Sequence, residues 1–310
     1  MRYRTLGSTG FEVSVVAVGT WAMGGKDYGR VYDGDSIKAV HRAIDLGVNL
    51  FDTAPIYGAG HAEEVLGRAL DGVRKDVFVA TKCGPDEVRP GLLRVDLSRE
   101  GIAAQCDASL KRLRTDWIDL LQVHWSDPAY PVEDAVASMI PLVEAGKVRA
   151  IGVCNFSAAE LSRSLEAAPV AALQPPFNLF RRDVEQDLLP LCHEKGIGVL
   201  AYEPLARGML TGKFQDGIRF DPGDIRGTDP SFKGERLRVR IEASSRLAIL
   251  ARREGMTPAQ LAIAWVLSRP GVTTALCGAK TATQAAENAR AAELDVPKNV
   301  LERAEAICAL

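Results

Sequence analysis

The sequence lacks the local motifs that announce most disulfide, metal and nucleotide sites. Its six cysteines, Cys83, Cys106, Cys154, Cys192, Cys277 and Cys308, include no CxxC and no tight pair. They read as small buried residues in a reducing compartment, not as a disulfide or zinc framework. The four histidines, His41, His61, His124 and His193, form no HxxxH or HExxH, so no metal site built from a local motif is expected. No stretch of 18 uncharged apolar residues is present, which excludes a membrane-spanning helix. Met1–Leu6 leads into folded-looking sequence without an apolar signal region, so the expected location is cytoplasmic. Runs of like charge are also absent: 38 basic residues against 40 acidic ones leave a net charge of −2. Nucleic acid is therefore not an expected partner. Nor is there a Gly-x-Gly-x-x-Gly, since Gly19 and the Gly24-Gly25 pair lack that spacing; a bound nucleotide would not be held by the Rossmann fingerprint.

What is present is a strand–helix rhythm. With 310 residues, 47% hydrophobic and 25% charged, the chain can bury a full core, and disorder, collagen and coiled coil are excluded. Strands are expected at Val15–Val18, Leu50–Asp52, Val77–Thr81, Trp117–Val123, Val148–Val153, Ala171–Leu173, Gly198–Ala201 and Val272–Leu276. Helical patterns follow at Ser36–Leu46, Ala62–Leu70, Arg99–Leu113, Val132–Ala145, Ser157–Ala167 and Val184–Lys195, with Ser157 a plausible N-cap. Further helices are expected at Glu235–Arg253, Pro258–Ser268, Thr283–Ala292 and Pro297–Ile307. The only long break is a polar, Gly/Asp/Pro-rich segment over residues 203–233. Eight alternating units with two helices to spare point to a parallel (β/α)8 TIM barrel forming one domain over residues 1–310. Arg2–Leu6 and Phe11–Val13 flank Gly7-Ser8-Thr9-Gly10 and read as a β-hairpin capping the lower end of the barrel.

Working residues of such a barrel sit at the C-terminal ends of its strands. Those ends place Asp52, Lys82 and His124 on three neighbouring strands, 30 and 42 residues apart, with Tyr57 in the loop five residues after Asp52. Singly, each has a plain structural explanation: a loop-bonding acid, a packed aromatic, a mouth lysine, a hydrogen-bonding imidazole. Together, acid, cation, imidazole and phenol make a site that protonates a developing alkoxide. A tyrosine titrates near pH ~10, and the Lys82 ammonium is expected to lower it toward working pH while Asp52 fixes Lys82 and His124 orients a substrate oxygen.

The chain resembles the aldo-keto reductases over essentially its whole length. The matching segments are residues 49–54 (NLFDTA), 55–58 (PIYG), 121–124 (LQVH), 146–149 (GKVR), 151–156 (IGVCNF) and 204–208 (PLARG). The resemblance implies an enzyme that reduces aldehyde or ketone carbonyls, or runs the reverse, with NADPH/NADP+ as cofactor, Tyr57 acting as acid and base. It implies that Gly19, Thr20, Trp21, Asp52 and Cys154 bind the cofactor, that Asn155 and Gln174 hold the nicotinamide carboxamide, and that Tyr202 stacks on the nicotinamide ring. The pyrophosphate would lie along Pro204, Leu205, Arg207 and Gly208, with Lys213 and Arg226 supplying charge. Gly278 would open the adenosine end, where Lys280, Thr281 and Gln284 would surround the ribose 2′-phosphate at a helix start, with Glu287 and Asn288 near adenine. An anion at a helix N-terminus beside a lysine is physically sensible. Substrate would meet Trp21, Met23, Tyr28, Tyr57, His124 and Trp125, and could be a sugar or an aromatic aldehyde.

The nearer likeness is to bacterial reductases of sugar or inositol metabolism and general stress. Three positions depart from the family: Cys154 and Glu203 stand where serine is common, and Cys277 replaces a frequent proline. Cys154 could make the site oxidisable. The 203–233 segment resembles a lid that clamps NADP, being longer than an ordinary βα loop of about 2–6 residues, and is expected to order on cofactor binding. Two alternatives share the fold: a Schiff-base aldolase using Lys82 as nucleophile, and a non-catalytic NADPH-binding regulatory subunit like the potassium-channel β subunits. No large apolar motif announces an interface between copies.

Overall fold

The computed structural model describes residues 1–89 and 92–310. Eight parallel strands close into a barrel in chain order: Val16–Gly19, Leu50–Asp52, Phe78–Cys83, Ile118–Val123, Val148–Cys154, Val170–Gln174, Gly198–Tyr202 and Val272–Gly278. The first and eighth strands pair through Val16↔Ala275 to Gly19↔Gly278, which completes the ring. Strand residues are buried on both faces, as all six of Ile118–Val123 are, because helices cover the outside and side chains fill the inside.

Two apolar layers result. Ala17, Leu50, Ala80, Leu120, Ala172, Leu200 and Leu276 fill the barrel interior, while a larger cluster joins the outer strand faces to the helices. The hairpin Tyr3–Thr5/Glu12–Ser14 plugs the lower end, sending Leu6, Phe11 and Val13 into the interior layer. Its turn leaves no room for a side chain. Gly7 has φ +51°, and a Cβ there would lie 2.1 Å from the Ala171 carbonyl oxygen. Asp119 anchors the same end: Arg74 and Arg149 donate to its two oxygens at 2.7 and 2.6 Å, and the Val79 amide donates at 2.9 Å.

Helix boundaries follow the capping signals. Ser157 and Glu160 form a capping box, as do Thr257 and Gln260 ahead of Pro258. Three readings need correction. The helix expected over Val132–Ala145 is two short ones, Val132–Ala137 and Ile140–Glu144, because Pro141 lacks the N–H that would bond back to Ala137. The helix expected over Val184–Lys195 is a 3-10 turn, Asp183–Glu185, followed by Leu188–Lys195. A second hairpin, Pro85–Arg89/Leu92–Val95, rises from the end of the third barrel strand, where no strand was expected. The 203–233 segment has local structure of its own: short 3-10 turns (Ala206–Thr211, Ile225–Gly227, Pro230–Phe232) surround a triangle of Phe214, Phe220 and Phe232 with ring centroids 5.4–5.7 Å apart. No helix among the described residues is long and apolar enough to cross a membrane.

Candidate active site

The C-terminal ends of the strands open into a cleft of about 610 Å³, inside the ~300–1,000 Å³ range of small-molecule sites. At one end of it Tyr57 presents its phenol. Behind that phenol, Lys82 is completely buried and donates to Asp52 Oδ1 at 2.7 Å, the Thr53 carbonyl at 2.8 Å and the Tyr57 hydroxyl at 3.4 Å. Asp52 accepts on its other oxygen from Gln174 at 2.7 Å and Gln122 at 3.4 Å. The carboxylate is thus surrounded by donors, as a buried acid must be. Gln122, fully buried, was not among the expected site residues.

His124 stacks on Trp125 at 3.9 Å and meets the edge of Tyr57 at 6.0 Å. Its buried Nδ1 has no hydrogen-bond partner among the described residues. Burial, and secondarily the positive Lys82, hold the imidazole well below the usual histidine range, so His124 is neutral near pH 7. Tyr57 departs from expectation. Burial first, then Asp52, Cys154 and Glu203, push its phenol well above the ordinary tyrosine value. The expected lowering by Lys82 is overruled, since desolvation penalises a phenolate more than one ammonium already shared with Asp52 favours it. The phenol therefore keeps its proton.

The remaining wall divides by chemistry. Trp21 lies nearly parallel to Tyr57 at 5.9 Å and edge-on to Tyr28 at 5.2 Å, held by its indole N–H on Asp27. Tyr202 donates to Asn155 Oδ1 at 2.7 Å, and Asn155 donates to the His124 carbonyl at 3.0 Å. The Cys154 thiol donates to Gln174 Oε1 at 3.6 Å and accepts from the Asn155 amide at 3.1 Å. Its thiol is buried and pushed up to about 12, which makes it an inert group at neutral pH and not the oxidisable one expected. Arg207 bonds Glu203 and Asp229 at 2.7 and 2.8 Å, so the departure at Glu203 carries its own counter-charge.

Lys213, Arg226 and Lys280 gather at the far end of the cleft. Arg226 is clamped by Asp224; among the described residues the Lys280 ammonium reaches only the Tyr28 carbonyl, at 2.9 Å. Burial, then Arg226 and Lys280, push Lys213 below the usual lysine range, and burial with Arg226 does the same to Lys280. Mutually repelling cations around an open space suit a polyanion. Beside them, Gly19 and Gly278 face the cleft, and a Cβ on either meets nothing within 4 Å. Both leave floor space for a ligand backbone to approach. Gln284 bonds the Lys280 amide, and Thr281 caps the following helix.

This geometry agrees with what the chain resembles. The sequence pattern of the Aldo/keto reductase family matches residues 15–309. The chain belongs to the aldo-keto reductase family. The "Aldo-keto reductase YhdN" of Bacillus subtilis (strain 168) is 41% identical over 283 residues, covering 90% of this chain and 85% of that one. Among solved structures, the glycerol dehydrogenase AKR11B4 from Gluconobacter oxydans superposes with a TM-score of 0.89 at 35% identity, covering 99% of this chain and 95% of that one. The aldo/keto reductase from Klebsiella pneumoniae, solved with NADP and acetate, gives 0.78 at 28%, covering 99% and 95%. The protein is thus an oxidoreductase with a TIM barrel.

Most expected residues of this aldo-keto reductase share the one cleft: Asp52, Tyr57, His124, Trp125, Cys154, Asn155 and Gln174, and the series Tyr202, Pro204, Leu205, Arg207, Gly208, Lys213 and Arg226. Trp21, Tyr28, Gly19, Gly278, Lys280, Gln284, Glu287 and Asn288 line it too. Four lie elsewhere. Met23 is a core residue at 1% exposure, because the 3-10 turn Trp21–Gly24 turns it inward while Trp21 and Ala22 face the cleft. Thr20 is fully buried, Thr281 serves the helix cap, and Lys82 sits behind Tyr57. Ala22, Thr211, Ala259 and Leu276 line the cleft unforeseen. Leu276 could have been found as a strand-end residue; Ala259 comes from a helix that only tertiary packing brings in.

Proposed function

We propose that this aldo-keto reductase interconverts aldehyde or ketone carbonyls and alcohols with NADPH/NADP+, Tyr57 giving and taking the proton. The observation that carries this reading is the Tyr57 phenol on the cleft wall, backed at 3.4 Å by the fully buried Lys82–Asp52 pair. Lys82 donates to the Tyr57 oxygen, which leaves the phenolic hydrogen free to point at a substrate oxygen. Because burial keeps that hydrogen in place, Tyr57 is a loaded acid ready to meet charge developing on a carbonyl oxygen. Neutral His124 offers an N–H to the same oxygen and orients the carbonyl. Lys82 and Asp52 touch no substrate and act as positioning residues.

A reduced nicotinamide, when bound, supplies the hydride. Asn155 and Gln174 would hold its carboxamide. Both already meet the Cys154 sulfur, a weak hydrogen-bond partner that a carboxamide would displace. Tyr202 would stack on the ring, and residues 204–208 with Lys213 and Arg226 would line the pyrophosphate. Lys280 and Gln284 would take the 2′-phosphate, with Glu287 and Asn288 beside adenine. That cationic end supports NADPH over NADH, which carries no 2′-phosphate. Trp21, Tyr28 and Trp125 offer flat faces to a sugar or an aromatic aldehyde.

The Schiff-base alternative has lost its support, since Lys82 spends its three N–H groups inside the protein and does not face the cleft. The test is fluorescence titration with NADPH and NADH, followed by reduced-nicotinamide absorbance over a panel of aldehydes and ketoses. NADPH should bind more tightly, and Tyr57→Phe should lower kcat about 10²–10⁴-fold at unchanged NADPH affinity. Failure to bind NADPH, or full turnover by Tyr57→Phe, refutes the reading; binding without turnover on any carbonyl favours the regulatory subunit.

A further inference from the structure

A second cavity, of about 410 Å³, lies outside the cleft, between Asn178–Arg181, the segment Ile225–Phe232 and Arg240 of the helix Gly234–Arg253. It shares Glu203 and Arg207 with the cleft, so an ion-paired wall separates the two spaces. Both carboxylates of this cavity, Glu203 and Asp229, are spent on the Arg207 guanidinium. Two other arginines line it without an ion pair among the described residues, although Asp229 exerts its charge on Arg240. Arg240 lays its guanidinium over the Phe180 ring at 5.2 Å, and its buried Nε finds no acceptor. Stacking occupies the flat face of a guanidinium and leaves its in-plane N–H groups for a ligand. Arg181 is exposed, and among the described residues its side chain has no ion-pair or hydrogen-bond partner. Natural structures rarely leave a buried charged donor unmatched, and among the described residues nothing accepts from the Arg240 Nε, while the exposed Arg181 guanidinium beside it is free to add a second grip.

We propose that this second cavity is a binding site for a small organic oxyanion, a carboxylate or phosphate ester, gripped by Arg181 and Arg240 with its apolar part against Phe180 and Phe232. Paired guanidiniums favour planar or tetrahedral oxyanions that accept two bonds at once. The volume, inside the ~300–1,000 Å³ range of small-molecule sites, is larger than a bare ion needs, and the two phenylalanines give an organic body something to pack on.

Calorimetric titration of the full chain with phenyl phosphate, benzoate and inorganic phosphate tests it. Saturable binding of phenyl phosphate or benzoate is expected, weakened about tenfold or more in both Arg181→Ala and Arg240→Gln, the loss of a charge-assisted hydrogen bond. Lys280→Ala, at the cationic end of the cleft, should leave it unchanged. Tighter phenyl phosphate than benzoate identifies a phosphate ester as the occupant, the reverse a carboxylate. Arg181 lies on the surface, so its replacement leaves folding intact even should Arg240→Gln disturb the helix. Binding indifferent to Arg181→Ala and Arg240→Gln, binding abolished by Lys280→Ala, or no saturation at tens of millimolar ligand overturns the proposal.

Discussion

Exchange of Lys82 for methionine removes an ammonium while keeping most of its volume, and the structure sets the cost. The replaced group makes the 2.7 Å bond to Asp52 inside a pair exposed by only 0% and 4%. Stripping one partner from a buried ion pair costs about 3–5 kcal/mol, because the other charge stays buried. Asp52 is not wholly abandoned, since Gln174 still donates at 2.7 Å, a charge-assisted bond worth ~1.5–3 kcal/mol. The expected loss therefore lies at the low end, about 3 kcal/mol. At ~2.1 cal/mol/K of unfolding entropy per residue, 310 residues give roughly 0.65 kcal/mol/K, so Tm should fall by ~5 °C. Adding Asp52→Asn removes the stranded charge, and the double variant should recover much of the loss, a coupling of about 2 kcal/mol. Urea unfolding of the four proteins, followed by near- and far-UV circular dichroism together, measures this and checks that the transition is two-state. A loss below about 1 kcal/mol for Lys82→Met, or strict additivity in the double variant, would refute the buried pair as an energetic unit.

Other consequences are as open to measurement. Asp119→Ala strands the Arg74 guanidinium and the Val79 amide together, and should cost about 3 kcal/mol in denaturant unfolding without changing cofactor affinity. His124 has a folded-state value well below its unfolded one near ~6.5. The folded state binds fewer protons there, so the stability from the neutral ring is whole above pH ~6.5 and is lost as pH falls below it, by up to ~1.4 kcal/mol per pH unit. The pH dependence of unfolding should flatten in His124→Gln below that point; an unchanged slope contradicts the assignment. For the proposed clamp, amide exchange over residues 203–233 should slow on NADPH binding, and equal protection with and without NADPH removes the clamp role.

Much of this was legible because barrel positions are periodic. A strand-end rule finds Asp52, Lys82 and His124, since each closes an apolar run and the run length fixes its direction. The rule also explains the misses. Pro85–Arg89 is charged and carries no alternation of polar and apolar residues, so its hairpin left no mark in the sequence. Met23 neighbours Trp21 and Ala22 in the chain, yet a single 3-10 turn sends them to opposite sides. The direction of the Tyr57 shift depends on how far the phenol is withdrawn from water. That depth is set by Trp21 and His124 folding against it from other loops, which a linear reading cannot weigh. Gln122 gains its role only in three dimensions, by reaching from the fourth strand past the third to Asp52 on the second through the barrel interior.

The seam where Val16–Gly19 meets Val272–Gly278 also governs how the protein is made. One of the two neighbours of the first strand in the ring is the last strand the ribosome produces. At roughly 5–20 residues per second, the interval between them is on the order of 13–50 s. Throughout it a short run of valines stands with one edge unpaired, a template for unwanted strand addition. Any slowing of translation beyond the seventh strand lengthens that exposure, so yield in a fast-growing host should depend on synonymous codons late in the gene more than on those at its start.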